Sequence, residues 1–149
     1  MCTLRPALAT DADFLRGLYH ETRTAEARAW GLPEAAIPAF VAQQYAARTA
    51  GWAAAHPTAM DHIIEVAGEP VGRLLWVEAS DHLHIIDIAL AVRCQGHGLG
   101  TQILTRLQAR GQAIQLRVAL DNPARRLYAR LGFVGSTDDG IYALLRWQP

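Results

Sequence analysis

Hydrophobic positions in the first third of the chain recur at helical spacing. After Pro6, apolar residues repeat every three to four positions, which predicts a helix over about residues 10–29. A second run with the same period follows Pro38 and ends at Gly51, a residue type that commonly terminates helices. With a short strand expected at residues 2–5, the sequence predicts one strand and two helices before the main sheet.

The middle of the chain changes to the patterns of β-strands. Residues 63–66 and 71–77 are rich in branched and aromatic side chains and are joined by Gly68-Glu69-Pro70, which predicts a hairpin. Residues 82–92 are apolar on both parities in their middle, as is typical of a strand buried in the centre of a sheet. We therefore expect three consecutive antiparallel strands.

The last third alternates between helical and strand patterns. Its predicted elements are a helix with Leu99, Ile103 and Leu107 four apart, a strand over 114–120, a helix from Asn122-Pro123 to Gly132, and strands over 133–134 and 141–147, the last two separated by turn residues 136–140. Together the patterns predict an α/β (α+β) fold in a single domain over residues 1–149. We expect a mixed, mostly antiparallel central sheet of six to seven strands with about four helices.

Composition narrows the class of protein. The 149 residues are 51% hydrophobic and 19% charged, enough apolar material for one packed domain. Fourteen basic residues balance fourteen acidic ones, so no global charge favours nucleic acid or an anionic membrane as a partner. Every basic residue is Arg, which excludes any mechanism that needs a lysine, such as a P-loop or a Schiff base.

Cysteine usage and hydropathy predict a cytoplasmic protein. Cys2 and Cys94 lack the paired spacing of a zinc or redox motif, and no apolar run approaches the roughly 18 residues of a membrane span. An Ala-rich chain with only Arg as its basic residue also suggests a GC-rich bacterial genome.

A glycine-rich loop, Arg93-Cys94-Gln95-Gly96-His97-Gly98-Leu99-Gly100, follows the buried strand and opens a helix. Free N–H groups in such a loop and in the first helical turn suit a pyrophosphate. A dinucleotide fingerprint fits poorly, because Thr101 stands where its third glycine belongs and too few residues follow for further crossover units. A glycine turn without a ligand remains an alternative.

Two segments carry a family resemblance. Gln95-x-x-Gly98-x-Gly100 resembles the acetyl-CoA loop of the GNAT superfamily of N-acetyltransferases, and residues 122–133 resemble the later helix segment of that family. Arg5-Pro6-Ala7, with Asp11 or Asp13 before the first helix, extends the match over essentially the whole chain. The resemblance implies acetyl-CoA as co-substrate and a sheet splayed between its fourth and fifth strands, where the pantetheine arm would insert.

The resemblance also implies which residues hold the cofactor. Main-chain groups of the fourth strand would bind the pantetheine, and the glycine loop would hold the pyrophosphate. His97 stands where the family often has Lys or Arg, but such a loop binds mainly through backbone N–H groups. The expected cofactor-binding residues are Leu90, Val92, Gln95, Gly96, His97, Gly98, Leu99, Gly100, Thr101, Asn122 and Tyr128.

Acyl transfer to an amine needs a proton donor for the departing thiolate and a stabilised oxyanion. The family pattern places Tyr128 beside the thioester sulfur, which makes it the candidate acid, although a tyrosine at this spacing is also typical of a core. A backbone N–H near Leu90 would stabilise the oxyanion.

The general base is less defined by the sequence. His82 lies nearest the position where the family often has a glutamate, and His84, Asp87 and Glu78 are further candidates. Strand alternation places His82 and His84 on one face and Asp87 on the other, unless a bulge intervenes. Asp87 is favoured because a lone acid inside an apolar run needs a reason, although a structural role is the alternative.

A metal site is not expected. His82 and His84, two positions apart on a strand, share a face and could bind zinc, but the sequence shows no third ligand close to them. Only His62, on an adjacent strand, could contribute.

The resulting hypothesis is an N-acetyltransferase that moves an acetyl group from acetyl-CoA to a primary amine of a small molecule or peptide, directly in a ternary complex. The alternative is a non-catalytic acyl-CoA-binding regulatory module of the same fold. Residues 30–60 would set the acceptor, and with only Glu34 and Asp61 in or beside them, strongly cationic substrates are disfavoured. Tyr142 and Trp147 could support a homodimer.

Overall fold

A computed structural model gives the backbone of residues 1–149 and the side chains of all but residues 136–138. It contains four α-helices and seven strands in one sheet of order β1-β2-β3-β4-β5-β7-β6. The helices are α1 (Ala12–Ala29), α2 (Ile37–Ala55), α3 (Leu99–Gln108) and α4 (Arg125–Arg130), and the strands are β1 (Cys2–Pro6), β2 (Met60–Val66), β3 (Glu69–Glu78), β4 (His82–Leu90), β5 (Ala113–Ala119), β6 (Val134–Asp138) and β7 (Tyr142–Trp147).

The predicted mixed, mostly antiparallel sheet is confirmed, since β4 and β5 form its one parallel pair. Several boundaries differ from prediction. Helix α2 continues through Gly51 to Ala55, because alanines follow the glycine and favour helix. Strand β4 ends at Leu90, so that Val92 lies in a short 3-10 turn. Strand β6 extends over predicted turn residues, because pairing with β7 outweighs local turn preference.

The two faces of the sheet are covered differently. On one face, α3 and α4 pack over a large apolar core in which Leu74, Leu83, Ile103 and Ile114 are fully buried. On the other face, α1 and α2 pack mainly on each other through a small cluster of Ala27, Ile37 and Val41 with partly buried neighbours. Polar and aromatic side chains therefore fill much of the space between this helix pair and the sheet.

A bulge in β4 corrects the prediction about strand faces. Leu75 pairs with Asp87 and the next residue of β3, Trp76, pairs with Ile85, so Ile86 is an extra residue in β4. Because a bulge shifts the alternation by one position, Asp87 lies on the same face as His84. The unbulged expectation, with Asp87 opposite the two histidines, is wrong.

The parallel pairing of β4 with β5 is short. It joins residues 82–85 to residues 113–116 and stops there, although both strands continue. The bulge at Ile86 comes directly after the last pair, where an extra residue bends the strand. The predicted splay between the fourth and fifth strands is thus present, and it leaves one backbone edge of β4 unpaired beyond Ile85.

An ion pair ties the start of α1 to the sheet edge. The guanidinium of Arg5 donates to both carboxylate oxygens of Asp11 at 2.8 Å and to Glu65 at 2.7 Å, and the N–H of Leu8 also donates to Asp11. These bonds lower the pKa of Asp11 to about 2. Of the two acids that the sequence offered, Asp11 is the partner of Arg5, whereas Asp13 pairs with Arg16 at the surface.

Folding stability should therefore decline in acid partly through Asp11. Its pKa falls from 3.8 to about 2 on folding, so its contribution is complete above about pH 4 and is lost as the pH falls through about 2. In urea unfolding at pH 6 and pH 2.5, Asp11→Asn should lose less stability between the two pH values than the wild type. Equal losses would show that Asp11 does not contribute to the acid sensitivity.

Two glycines offer a matched test of the β3–β4 contact. A Cβ on Gly72 would collide with the carbonyl oxygen of Ala89 and lie 2.9 Å from Leu90, whereas a Cβ on Gly51 meets nothing within 4 Å. Gly72→Ala should cost about 1–3 kcal/mol by overpacking, and Gly51→Ala should add about 0.5–1 kcal/mol inside helix α2. Thermal unfolding measures both, and a Gly72→Ala protein as stable as wild type would contradict the close approach.

Candidate active site

The main candidate site is a cavity of about 630 Å³ beside the splay. It is lined by α1 and α2 from one layer, by the ends of β3 and β4, and by the glycine loop, α3 and α4 from the other layer. The cavity thus connects the two faces of the sheet at the point where β4 and β5 separate.

Most of the residues predicted from the sequence line this cavity. Those present are Asp87, Leu90, Gln95, Gly96, Gly98, Leu99, Gly100, Thr101, Asn122 and Tyr128. His82, Val92 and His97 lie outside the lining. The side chain of His97 is exposed, and the N–H of Val92 donates to the carboxylate of Glu21 on α1 at 3.1 Å.

The glycine loop is shaped to present backbone N–H groups. Gly96 and Gly98 have φ of 77° and 81°, in the left-handed region that favours glycine, and α3 begins directly after Gly98. No described group accepts a hydrogen bond from the N–H of Gly96, His97 or Gly98. With the first turn of α3, the loop therefore forms an anion site that fits a pyrophosphate.

Contacts around the loop hold it in place. The side-chain amide of Gln95 donates to the carbonyl of Leu90 at 3.1 Å and closes the loop onto the end of β4. Gly100 allows α3 to approach α4, because a Cβ there would lie 3.0 Å from Leu127. Asn122 accepts a bond from the N–H of Ala124 at 2.9 Å, so it stabilises the turn before α4.

Tyr128 lies at the inner wall of the cavity. It is 6% exposed and packs edge-on against Phe133, with ring centroids 5.6 Å apart. No described residue hydrogen-bonds to its hydroxyl, although the side chain lines the cavity. Burial and the nearby charge of Asp87 raise the pKa of Tyr128 to about 12, so its proton is retained at neutral pH.

Asp87 faces the cavity from the opposite layer. Burial raises the pKa of Asp87, and the positive charges of Arg48 and Arg73 oppose part of that rise. Arg48 approaches the carboxylate with a single contact of 3.4 Å. Asp87 and Tyr128 thus line the same cavity. Asp87 has an increased affinity for a proton, and Tyr128 holds its proton at neutral pH.

The histidines form a separate row next to the site. The Nδ1–H of His82 donates to the carboxylate of Asp81 at 2.7 Å. The ring of His82 lies 6.3 Å from that of His84, and the ring of His84 lies 5.7 Å from that of His56, which follows α2. Burial and the neighbouring His56 and His82 lower the pKa of His84, which keeps its imidazole neutral. Neither His82 nor His84 lines the cavity.

The remaining predicted groups have other partners. Glu78 pairs with Arg110 at the surface. His62, the suggested third zinc ligand, accepts a hydrogen bond from the indole of Trp76 at 3.1 Å. Among the residues with described side chains, no cluster of His, Cys, Asp or Glu could hold a metal ion.

The α1–α2 side of the cavity contains residues that the sequence analysis did not single out, although four of them lie within the expected acceptor region. Tyr45, Arg48, Thr49 and Trp52 follow the spacing of one helical face of α2, and they were recognisable as a stripe. Arg73 on β3 carried no such signal, because only strand register brings it there. Trp30, in the expected acceptor region, lies outside the cavity and is 56% exposed.

Sequence comparison now identifies the family. A model described as the acetyltransferase (GNAT) family matches residues 17–133. This range includes all of the cavity lining except Leu15, and the chain belongs to the GNAT acetyltransferase family. The predicted cofactor is confirmed as the acyl donor of that family, acetyl-CoA. None of the curated proteins matches the sequence significantly.

Solved structures of acetyltransferases share the fold at low identity. PaiA N-acetyltransferase from Thermoplasma acidophilum, in complex with coenzyme A, is 13% identical over 100% of this chain and 99% of that chain, with a TM-score of 0.75. An acetyltransferase from Thermus thermophilus is 20% identical over 99% and 96% of the two chains, with a TM-score of 0.67. The acetyltransferase yncA from Salmonella typhimurium, with its cofactor acetyl-CoA, is 18% identical over 99% of this chain and 93% of that chain, with a TM-score of 0.59.

Two further observations bear on partners. No described helix has the length and hydropathy needed to cross a membrane.

Tyr142 is 39% exposed under the guanidinium of Arg117, whereas Trp147 packs beside Gly132. The expected homodimer stays a prediction.

A glycine pair tests the anion site. Gly98 and Gly111 both have positive φ, of 81° and 75°, and open space around a Cβ. Alanine at either position should cost about 1–2 kcal/mol of stability through backbone strain, but only Gly98→Ala should weaken binding of coenzyme A, because Gly98 belongs to the loop. Calorimetric titration measures the affinity for coenzyme A. Equal affinities for the two variants would show that the loop is not part of the coenzyme A binding site.

Proposed function

We propose that this protein transfers the acetyl group of acetyl-CoA to the primary amine of a small molecule or peptide, directly within a ternary complex. The observation that carries the proposal is the single cavity that contains the glycine loop, Asp87 and Tyr128. A cofactor at the loop and an amine at Asp87 would then meet without a covalent intermediate on the protein.

Backbone groups supply most of the cofactor site in this proposal. The N–H groups of residues 96–101 bind the pyrophosphate, and the unpaired edge of β4 beyond Ile85 binds the pantetheine. Gln95 and Asn122 position these segments, as their hydrogen bonds to main-chain groups indicate. Because the donors are main-chain groups, His97 can replace a basic residue without loss of the site.

Asp87 acts as the general base. A carboxylate whose pKa is raised by burial takes a proton from the acceptor amine more readily than an exposed one. It lines the cavity, whereas the other candidate, His82, does not. We therefore assign His82 to the histidine row beside the site and not to proton transfer.

Tyr128 acts as the general acid, and acetyl-CoA supplies the thioester whose sulfur receives the proton. The pKa of Tyr128, about 12, keeps the hydroxyl protonated, so that it holds a proton for the sulfur as the carbon–sulfur bond breaks. A backbone N–H of β4 near Leu90 stabilises the oxyanion, since backbone donors in a buried site need no reorganisation.

The alternative, a non-catalytic acyl-CoA-binding module, would keep the loop but have no need for a proton acceptor and a proton donor in one cavity. Turnover decides between the two. Release of free thiol from acetyl-CoA in the presence of a panel of primary amines supports the enzyme, and tight acetyl-CoA binding with no turnover supports the module.

Two tyrosines provide the mechanistic test. Tyr128→Phe should lower kcat by roughly a hundredfold or more by removing the proton donor, with little change in coenzyme A affinity. Tyr142→Phe, outside the cavity, should retain the wild-type kcat. An undiminished kcat in Tyr128→Phe would contradict the assignment.

Asp87 predicts the pH dependence of the same reaction. Wild-type kcat/KM should fall as the pH drops through the raised pKa of Asp87, at a pH above the ordinary value of 3.8. Asp87→Asn should be slower and should lose this acidic limb. A pH profile that keeps the limb in the variant would assign the base to another group.

A further inference from the structure

Arg48 of α2 differs from the other two arginines on the α1–α2 side of the cavity, Arg23 and Arg73. Its guanidinium lies 4.1 Å from the ring centroid of Trp52 and 5.4 Å from that of Tyr19. A guanidinium held over an aromatic ring interacts through its charge and does not use its N–H groups as hydrogen-bond donors to the ring system. The two aromatic rings therefore fix the position of Arg48 without satisfying its donors.

The hydrogen bonds of Arg48 are incomplete. Among the described residues, its one hydrogen bond goes to Asp87 at 3.4 Å, longer than the roughly 2.7–2.9 Å of a strong charged pair. The other cavity arginines on this side are better engaged. Arg73 donates to both oxygens of Asp61 at 2.9 Å, and Arg23 donates to Glu26 and Gln44 at 2.6 Å.

Position adds to the incomplete bonding. Arg48 lines the cavity with its side chain 42% exposed, so an anion entering the cavity can reach it. Its one partner, Asp87, is the group that the proposed function assigns to the acceptor amine. Arg48, which can bind an anion, and Asp87, which can bind an amine, are thus neighbours. A single carbon atom that carries both a carboxylate and an amine can contact both side chains.

We propose that the acceptor is a free α-amino acid, whose carboxylate binds Arg48 while its amino group faces Asp87. This inference rests on the proposed acetyl transfer and defines its substrate class. Tyr19, Tyr45 and Trp52 line the same part of the cavity and provide an apolar wall for the side chain of the amino acid.

The charges around the site favour a carboxylate over competing acceptors. Arg48 has unused donors, whereas the neighbouring acids Asp61 and Glu26 are paired with Arg73 and Arg23. A polyamine would place a second cation near two arginines, which is unfavourable. A peptide N-terminus carries a neutral amide where the amino acid carries a carboxylate, so it offers the guanidinium of Arg48 no negative charge beyond that of Asp87.

The step balances within the named groups. Asp87 accepts the proton that the neutral amine loses as its nitrogen bonds to the acetyl carbon. Tyr128 supplies the proton that the sulfur takes as the carbon–sulfur bond breaks. Solvent returns a proton from Asp87 to Tyr128 between turnovers, so the protein leaves the cycle unchanged.

The test compares acceptors that differ only at the carboxylate. The standard α-amino acids are screened with acetyl-CoA by thiol release, together with a panel of simple primary amines. The best amino acid is then compared with its α-carboxamide and with the amine that lacks the carboxylate. We expect kcat/KM for the amino acid to exceed both by roughly tenfold to a hundredfold, the range of a hydrogen-bonded charge pair.

Two arginine variants locate the effect. Arg48→Gln should reduce the ratio of kcat/KM for the amino acid to that for its carboxamide by tenfold or more, and Arg48→Lys should restore part of it. Arg23→Gln is the matched control, because Arg23 lines the same cavity with its donors engaged, and it should keep the wild-type ratio. Melting temperature and coenzyme A affinity check that each variant is folded.

The outcomes separate this inference from the proposed function. If the carboxamide or simple amines are acetylated as well as the amino acids, the carboxylate site is wrong and acetyl transfer stands. If Arg48→Gln keeps the wild-type ratio, the carboxylate does not bind Arg48 and the inference is overturned. If coenzyme A binds but no amine of either panel is acetylated, the proposed function fails and the inference fails with it.

Discussion

One extra residue in β4 determines much of this molecule. Ile86 has no partner on β3, and the strand bends away from β5 directly after the last pair at Ile85. The same residue shifts the alternation, so that Asp87 turns toward α2. A single bulge therefore accompanies the unpaired backbone edge of β4 and presents a carboxylate to the cavity beside it.

The two helix layers serve different purposes. The layer of α3 and α4 packs tightly on the sheet, and this rigid support fixes the glycine loop and Tyr128. The layer of α1 and α2 has its own small core and meets the sheet through arginines, carboxylates and aromatic rings. Polar contacts of this kind are compatible with a cavity between the helices and the sheet, because buried polar groups need hydrogen-bond partners and do not need dense apolar packing. Glu21, bonded to the N–H of Val92, links the two regions.

Local signals in the sequence were sufficient for the framework. Apolar periodicity located every helix and strand, and Gly96 and Gly98 indicated the loop, because left-handed backbone requires residues of that type. One boundary error arose because tertiary pairing outweighed local preference, and another because several helix-forming residues outweighed one glycine. Strand β6 continues through turn-forming residues because β7 offers it hydrogen bonds, and α2 passes Gly51 because the alanines beyond it favour helix.

The sequence by itself determined the fold class, the family and the glycine loop, since each depends on residue types at fixed spacing along the chain. Only the tertiary structure decided that Asp87, and not His82, faces the cavity, because a bulge is a property of strand register that no periodicity reveals. The same holds for Arg48 and Arg73. They come together from α2 and β3 around Asp87, and their proximity depends on packing between elements distant in the chain.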